Sequence, residues 1–222
     1  RLVSYTTPTP DFADEGIENV QDLIAFCARV SNPSAQINSA TSEKLIKYLI
    51  KHQHWSPLEM VNAVLEIETT RDIAHQIVRH RSFAFQEFSQ RYADPKEQGE
   101  VFVTSEARLQ DAKNRQNSID IDLGEEGMPE LINRWEELQQ DVCYTAGRAY
   151  DWAIKAGIAK EVARKVLPEG LTKTTLYMNG TLRSWVHYID LRSANGTQKE
   201  HMDIAKECAK IIAEIFPLIE EL

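Results

Sequence analysis

The chain has 222 residues, 42% hydrophobic and 27% charged, with a formal net charge of −9. That composition is ordinary for a soluble globular protein and excludes disordered and collagen-like chains. The acidity argues against a broad nucleic-acid partner, which needs a basic face to neutralise phosphates, but a local basic cleft can still hold one small anion.

No apolar run reaches the length of a bilayer span and the N-terminus lacks a signal-peptide layout, so no membrane partner and a cytoplasmic location are expected. The start at Arg1, without Met, reads as a trimmed or engineered start. Cys27, Cys143 and Cys208 are odd in number, widely spaced and free of any C-x-x-C pattern, which predicts reduced core thiols. Nothing resembles a linker, so residues 1–222 are expected to form a single domain.

Leu2 to Thr6 predicts a short strand, and the spacing of Val20, Leu23, Ile24, Cys27 and Val30 predicts a helix that Ser31-Asn-Pro33 ends. Thr41 or Ser42 should cap a second helix carrying Leu45, Ile46, Leu49 and Ile50. Val61 to Thr69 is β-branched and alternating, a partly buried strand. Arg71 to Arg79 returns to helical period and brings His75, Gln76 and Arg79 near one another.

The next run, Arg79-His-Arg-Ser-Phe-Ala-Phe-Gln-Glu-Phe-Ser-Gln-Arg-Tyr92, is the most informative. Three adjacent potential cations repel one another and call for an anionic neighbour, although a helix C-terminus also favours cations. If the following stretch is extended, period two puts Glu87, Ser89 and Arg91 on one face, with Phe88, Gln90 and Tyr92 on the other.

The polar stretch from Glu97 to Glu130 reads as an insertion, with a strand near Val101 to Thr104. Helices follow at Pro129–Lys155, Lys160–Leu167, Leu182–Arg192 and Gln198–Phe216. Thr172 to Met178 is β-rich, and Asn179-Gly180 predicts a turn. The fold class is therefore mixed α/β (α+β): an antiparallel-rich sheet flanked by helices, with a helical C-terminal half.

In the last of these informative runs, Arg183 and His187 are four apart on one helix face, and Arg192 lies just beyond. Arg164 has the fork geometry for a phosphate clamp. His52 and His54 lack a zinc-site spacing, so no metal is expected. No Gly-rich dinucleotide fingerprint, P-loop or serine-hydrolase elbow is present. Any nucleotide cofactor must be held by side chains and helix ends.

Arg-His-Arg followed by seven residues and Ser89 resembles the signature of the flavin-dependent thymidylate synthases. The resemblance extends through Ala28-Arg-Val-Ser31, His54-Trp-Ser-Pro-Leu-Glu59, Gln76 to Tyr92, Ala163-Arg164 and Arg183 to Arg192. It implies reductive methylation of dUMP, with 5,10-methylenetetrahydrofolate giving the carbon, reduced FAD the hydride and NADPH the reducing power. It also implies a homotetramer with flavin sites where subunits meet.

By the same resemblance, Arg192 is the catalytic candidate, contacting the uracil and favouring ionisation of its ring nitrogen. Gln76, Ile77, Val78, Arg79 and Glu87 are the first dUMP contacts. Phe88, Ser89, Gln90, Arg91, Arg164 and Arg192 complete them. FAD contacts are expected at Ser31, His54, Ser56, Arg79, His80, Arg81 and Glu87. Thr181, Leu182, Arg183 and His187 join them, with Thr181 and His187 standing where other members carry Asn. Ser89 has no adjacent base and reads as a binding hydroxyl.

Overall fold

The computed structural model describes residues 1–221. Strand β1 (Leu2–Tyr5) leads into helices α1 (Pro10–Asp14), α2 (Val20–Ala28) and α3 (Ser42–Lys51), then a 3-10 turn at Ser56–Met60. Strand β2 (Asn62–Thr70), helix α4 (Arg71–Ile77) and strand β3 (Ala84–Glu87) come next. A hairpin of β4 (Arg108–Gln110) and β5 (Ser118–Asp120) precedes the long helix α5 (Met128–Lys155) and the short α6 (Lys160–Ala163). Strand β6 (Lys173–Thr181) and helices α7 (Leu182–Ser193) and α8 (Lys199–Ala213) follow.

The main sheet has the order β1-β2-β6-β3, and every neighbouring pair is antiparallel. β2 and β6 pair from Asn62 opposite Thr181 to Thr70 opposite Lys173. Period two sends Ala63, Leu65 and Ile67 of β2, with Thr174, Leu176 and Met178 of β6, into the core. The other face carries Glu66, held by Arg1, and Glu68, held by Lys173. A sheet with one packed and one solvated face needs helices on a single side, and α7 and α8 help supply that layer. Trp185 of α7 is completely buried and satisfies its indole N–H on the Ala63 carbonyl at 3.1 Å.

Local chemistry sets the helix ends. Asn19 caps α2 by accepting from the Asp22 N–H. α5 stops at Gly157, whose φ of +81° lets its N–H reach the Ile154 carbonyl while the Ile158 N–H reaches Ala153. Along α5, Leu131, Leu138, Val142 and Trp152 remain exposed, leaving an uncovered apolar flank.

Several expectations need correction. β3 ends at Glu87, and Ser89 to Tyr92 forms a turn in which the Ser89 carbonyl accepts from the N–H groups of Tyr92 and Ala93. Glu87, Ser89 and Arg91 therefore do not share a strand face. The stretch Val101 to Thr104 makes a single bridge, Phe102 with Thr172. Just beyond it, Gln139 of α5 takes both the N–H and the carbonyl of Ser105.

Asn179-Gly180 is not a turn: both stay in β6, and Gly180 pairs with Ala63. A Cβ on Gly180 would lie 2.4 Å from the Phe83 ring, so the glycine serves close packing. Reversal waits for Thr181, whose hydroxyl caps α7 through the Ser184 N–H. The Thr41 hydroxyl does not cap α3; it accepts from Arg29 at 2.8 Å. Of the three free cysteines only Cys208 is fully buried; Cys27 and Cys143 are half-buried.

Candidate active site

α4 ends at Ile77, so Arg79, His80 and Arg81 occupy the loop that leads to β3. Arg79 and Arg81 are exposed, and neither forms a salt bridge among the described residues. His80 turns inward, and its Nε2 accepts from Arg192 Nε at 2.9 Å. A guanidinium never gives up its proton under ordinary conditions, so this contact requires a neutral His80 carrying its hydrogen on Nδ1. Burial, and then the adjacent Arg192 charge, hold the His80 pKa below its ordinary value.

Tyr188, one turn before Arg192 on α7, packs its ring nearly perpendicular to that of His80, with the ring centres 4.9 Å apart. Its hydroxyl lies 3.1 Å from His201 Nε2 on α8, and His201 Nδ1 lies 3.4 Å from Gln76 Oε1. Gln76 in turn donates to Gln198 at 2.7 Å. The ends of α4, α7 and α8 thus meet in one polar cluster around the base of Arg192.

A second cluster surrounds Glu87. Its Oε1 accepts from Arg71 at 3.1 Å and from the Thr174 hydroxyl at 2.9 Å. Past it, Phe88 and Ser89 are half-buried, and Gln90 is buried with its amide nitrogen lacking a partner. Arg91 pairs with Glu161 of α6 at 3.3 Å, which brings it beside the turn that carries half-buried Arg164. Ile77 is wholly in the core, whereas Val78 is exposed.

A third cluster forms where α7 crosses the Ser56–Met60 turn. Arg183 donates to Glu59 at 2.5 Å, and the His187 ring lies 4.7 Å from Trp55. His54 and Ser56 are exposed nearby in sequence, and Ser31 is exposed just beyond α2. Thr181 starts the helix as its cap. Leu182 is fully buried with its N–H on the Val61 carbonyl.

The fold therefore joins Arg192 to His80 and Gln76, and Arg183 with His187 to the loop at 54–59, but it separates Glu87 from Arg91. A cavity of about 580 Å³ between α5 and α6 is lined by Trp152, Ile158 and Val162 and contains none of the predicted site residues. Sequence reasoning missed Arg71, Thr174, Tyr188, Gln198 and His201. His201 did carry a signal, because it falls on the α8 row of Ala205, Cys208 and Ile212, where a polar side chain needs a buried partner.

A profile of the thymidylate synthase complementing proteins matches residues 14–218. The chain belongs to this family. Among other members it is 47% identical over 220 residues to a probable flavin-dependent thymidylate synthase of Paramecium bursaria Chlorella virus 1, spanning 99% of this chain and 95% of that protein. It is 44% identical to the flavin-dependent thymidylate synthase of Synechocystis sp., spanning 99% and 96%. The fold also matches the crystal structure of PolB from Streptomyces cacaoi, a UMP/dUMP methylase bound with 5-Br dUMP. That likeness has a TM-score of 0.77 at 22% identity and covers 100% of this chain and 92% of PolB.

Proposed function

We propose that the chain is a flavin-dependent thymidylate synthase that converts dUMP to dTMP. The carbon would come from 5,10-methylenetetrahydrofolate and the hydride from reduced FAD, which NADPH regenerates. The observation that carries this reading is the Arg192–His80 bond, which joins the proposed catalytic guanidinium to the Arg79-His80-Arg81 run.

Arg192 would contact the uracil and stabilise negative charge developing on it, a role suited to a cation that stays protonated in a half-buried setting. Its Nε is committed to His80, and its two terminal nitrogens make no protein hydrogen bond among the described residues. Gln76, Arg79, Glu87, Ser89, Gln90, Arg91 and Arg164 would hold the nucleotide, the arginines mainly at its phosphate. The orphaned, buried Gln90 amide supports this, since such a group is rarely left unpaired without a missing partner.

Arg79 and Arg81 are exposed and without a salt bridge among the described residues, and with Arg183, His187, Ser56 and His54 they would supply the donors that an anionic dinucleotide such as FAD needs. When bound, FAD supplies the hydride; the protein's own part is to orient the ring system and exclude water. A homotetramer of this single domain would bring separated clusters together across subunits. The uncovered apolar flank of α5 offers a surface for that assembly.

A cysteine-nucleophile route to the same product is disfavoured by the thiols. Burial raises the pKa of all three and pushes Cys208 up to about 12, the opposite of an activated thiolate. Unpaired thiols also agree with a cytoplasmic enzyme.

The visible absorption spectrum of the purified protein, with FAD added, free flavin removed and dUMP then titrated in, tests the reading. Retained flavin absorbance that shifts with dUMP is expected. No retained flavin at any FAD concentration would sink it.

A further inference from the structure

Tyr188 is only 1% exposed and His201 is fully buried, so neither reaches a bound ligand. A core needing only volume would be served by Phe and Leu at these positions, yet the chain places a hydrogen-bonded phenol and imidazole there. Their polarity is ordered. Gln76 Oε1 can only accept, so His201 Nδ1 carries the hydrogen and its Nε2 presents a lone pair. The Tyr188 hydroxyl then donates to that lone pair. Burial, and then the Arg192 charge, keep His201 unprotonated, with a pKa of about 4.

This pair fixes the wall against which His80 rests. The Tyr188 ring meets His80 edge-on at 86°, and Phe83 and Trp185 close on its other sides at 5.8 Å and 5.9 Å. With the phenol held at both ring and hydroxyl, the His80 ring has a fixed neighbour, and its Nε2 lone pair points at Arg192 Nε. A long flexible arginine is thereby restrained at the atom next to its charged fork.

We propose that Tyr188 and His201 are positioning residues: as a bonded pair they fix the His80 ring, and His80 aims the Arg192 guanidinium at the nucleotide. The inference rests on the functional reading above for its kinetic consequence, but its geometric content stands apart from turnover.

Two readouts test it. The first is the Arg192 Nε–H resonance in nitrogen-15 NMR, assigned by its loss in Arg192→Lys. It should be slow to exchange in the unaltered protein, and Tyr188→Phe should shift or broaden it. The second is kinetics. Tyr188→Phe should lower kcat on the order of tenfold with KM for dUMP within about twofold, as expected for lost orientation rather than lost binding. It should add no further loss in an Arg192→Lys background. His201→Gln, which keeps an acceptor and a donor, should retain more turnover than His201→Leu.

An Arg192 resonance indifferent to Tyr188→Phe would overturn the proposal, whatever the activity. So would a lowered melting temperature with kcat unchanged, or an equal kcat loss in the Arg192→Lys background. If the resonance responds but the unaltered protein makes no dTMP, positioning is upheld and the functional reading fails.

Discussion

Arg192, at the end of α7, and His80, in the loop after α4, are 112 residues apart in sequence and 2.9 Å apart at their bonded nitrogens. That bond ties the two most informative stretches of the sequence into one site. It also fixes the protonation state of His80, because only a neutral imidazole accepts from a guanidinium.

Replacing Arg192 with Ala should lower kcat by on the order of a hundredfold or more, the scale seen when one donor to developing charge is lost. Arg192 is in the last helical turn rather than the core, so the melting temperature should hold. Steady-state dTMP formation together with thermal unfolding checks both halves.

Stability should depend on His201. Unfolded, it titrates near its ordinary 6.5; folded, at about 4. Between those values the unfolded chain holds a proton that the folded chain does not, so stability falls as pH drops through the window and the loss is complete below it. His80, also depressed, acts in the same direction. Melting temperatures from pH 7 to pH 4 should fall more steeply in the unaltered protein than in His201→Gln.

Gly180→Ala should destabilise the fold by about 1–3 kcal/mol through overpacking, because the new methyl meets the Phe83 ring. Phe83→Leu in the same chain should restore part of the loss. Urea denaturation of the single and double variants measures it.

Arg71→Met should weaken dUMP binding by roughly tenfold, about 1.4 kcal/mol. The change leaves the Glu87 carboxylate with the Thr174 hydroxyl and without its cation. Calorimetric titration of dUMP reads the change directly.

If the chain assembles through the exposed flank of α5 as proposed, Val142→Asp should break that assembly, since a charge in an apolar interface is costly. Light scattering should show smaller species, and flavin retention should fall with them. A lasting monomer in the unaltered protein would undermine shared sites.

Much of this was legible in the sequence because it rested on local periodicity. The helices expected at Val20–Val30, Pro129–Lys155 and Leu182–Arg192, and the strand expected at Val61–Thr69, are found at Val20–Ala28, Met128–Lys155, Leu182–Ser193 and Asn62–Thr70. What spacing could not show depended on distant partners. Gly180 stays in β6 with Phe83 packed over it, and the strand expected near Val101 reduces to the single Phe102–Thr172 bridge. The Arg79-His80-Arg81 run was visible, but its coupling to Tyr188 and His201 arises only where α7 and α8 cross. Glu87 was visible too, whereas Arg71, its cation, looked like an ordinary start to a helix.

The most direct test is to remove all flavin and supply dUMP, NADPH and 5,10-methylenetetrahydrofolate, with and without FAD, following the nucleotide by mass spectrometry. The account predicts dTMP with FAD and none without it. dTMP formed without flavin, or dUMP bound and left unchanged with every component present, would contradict it.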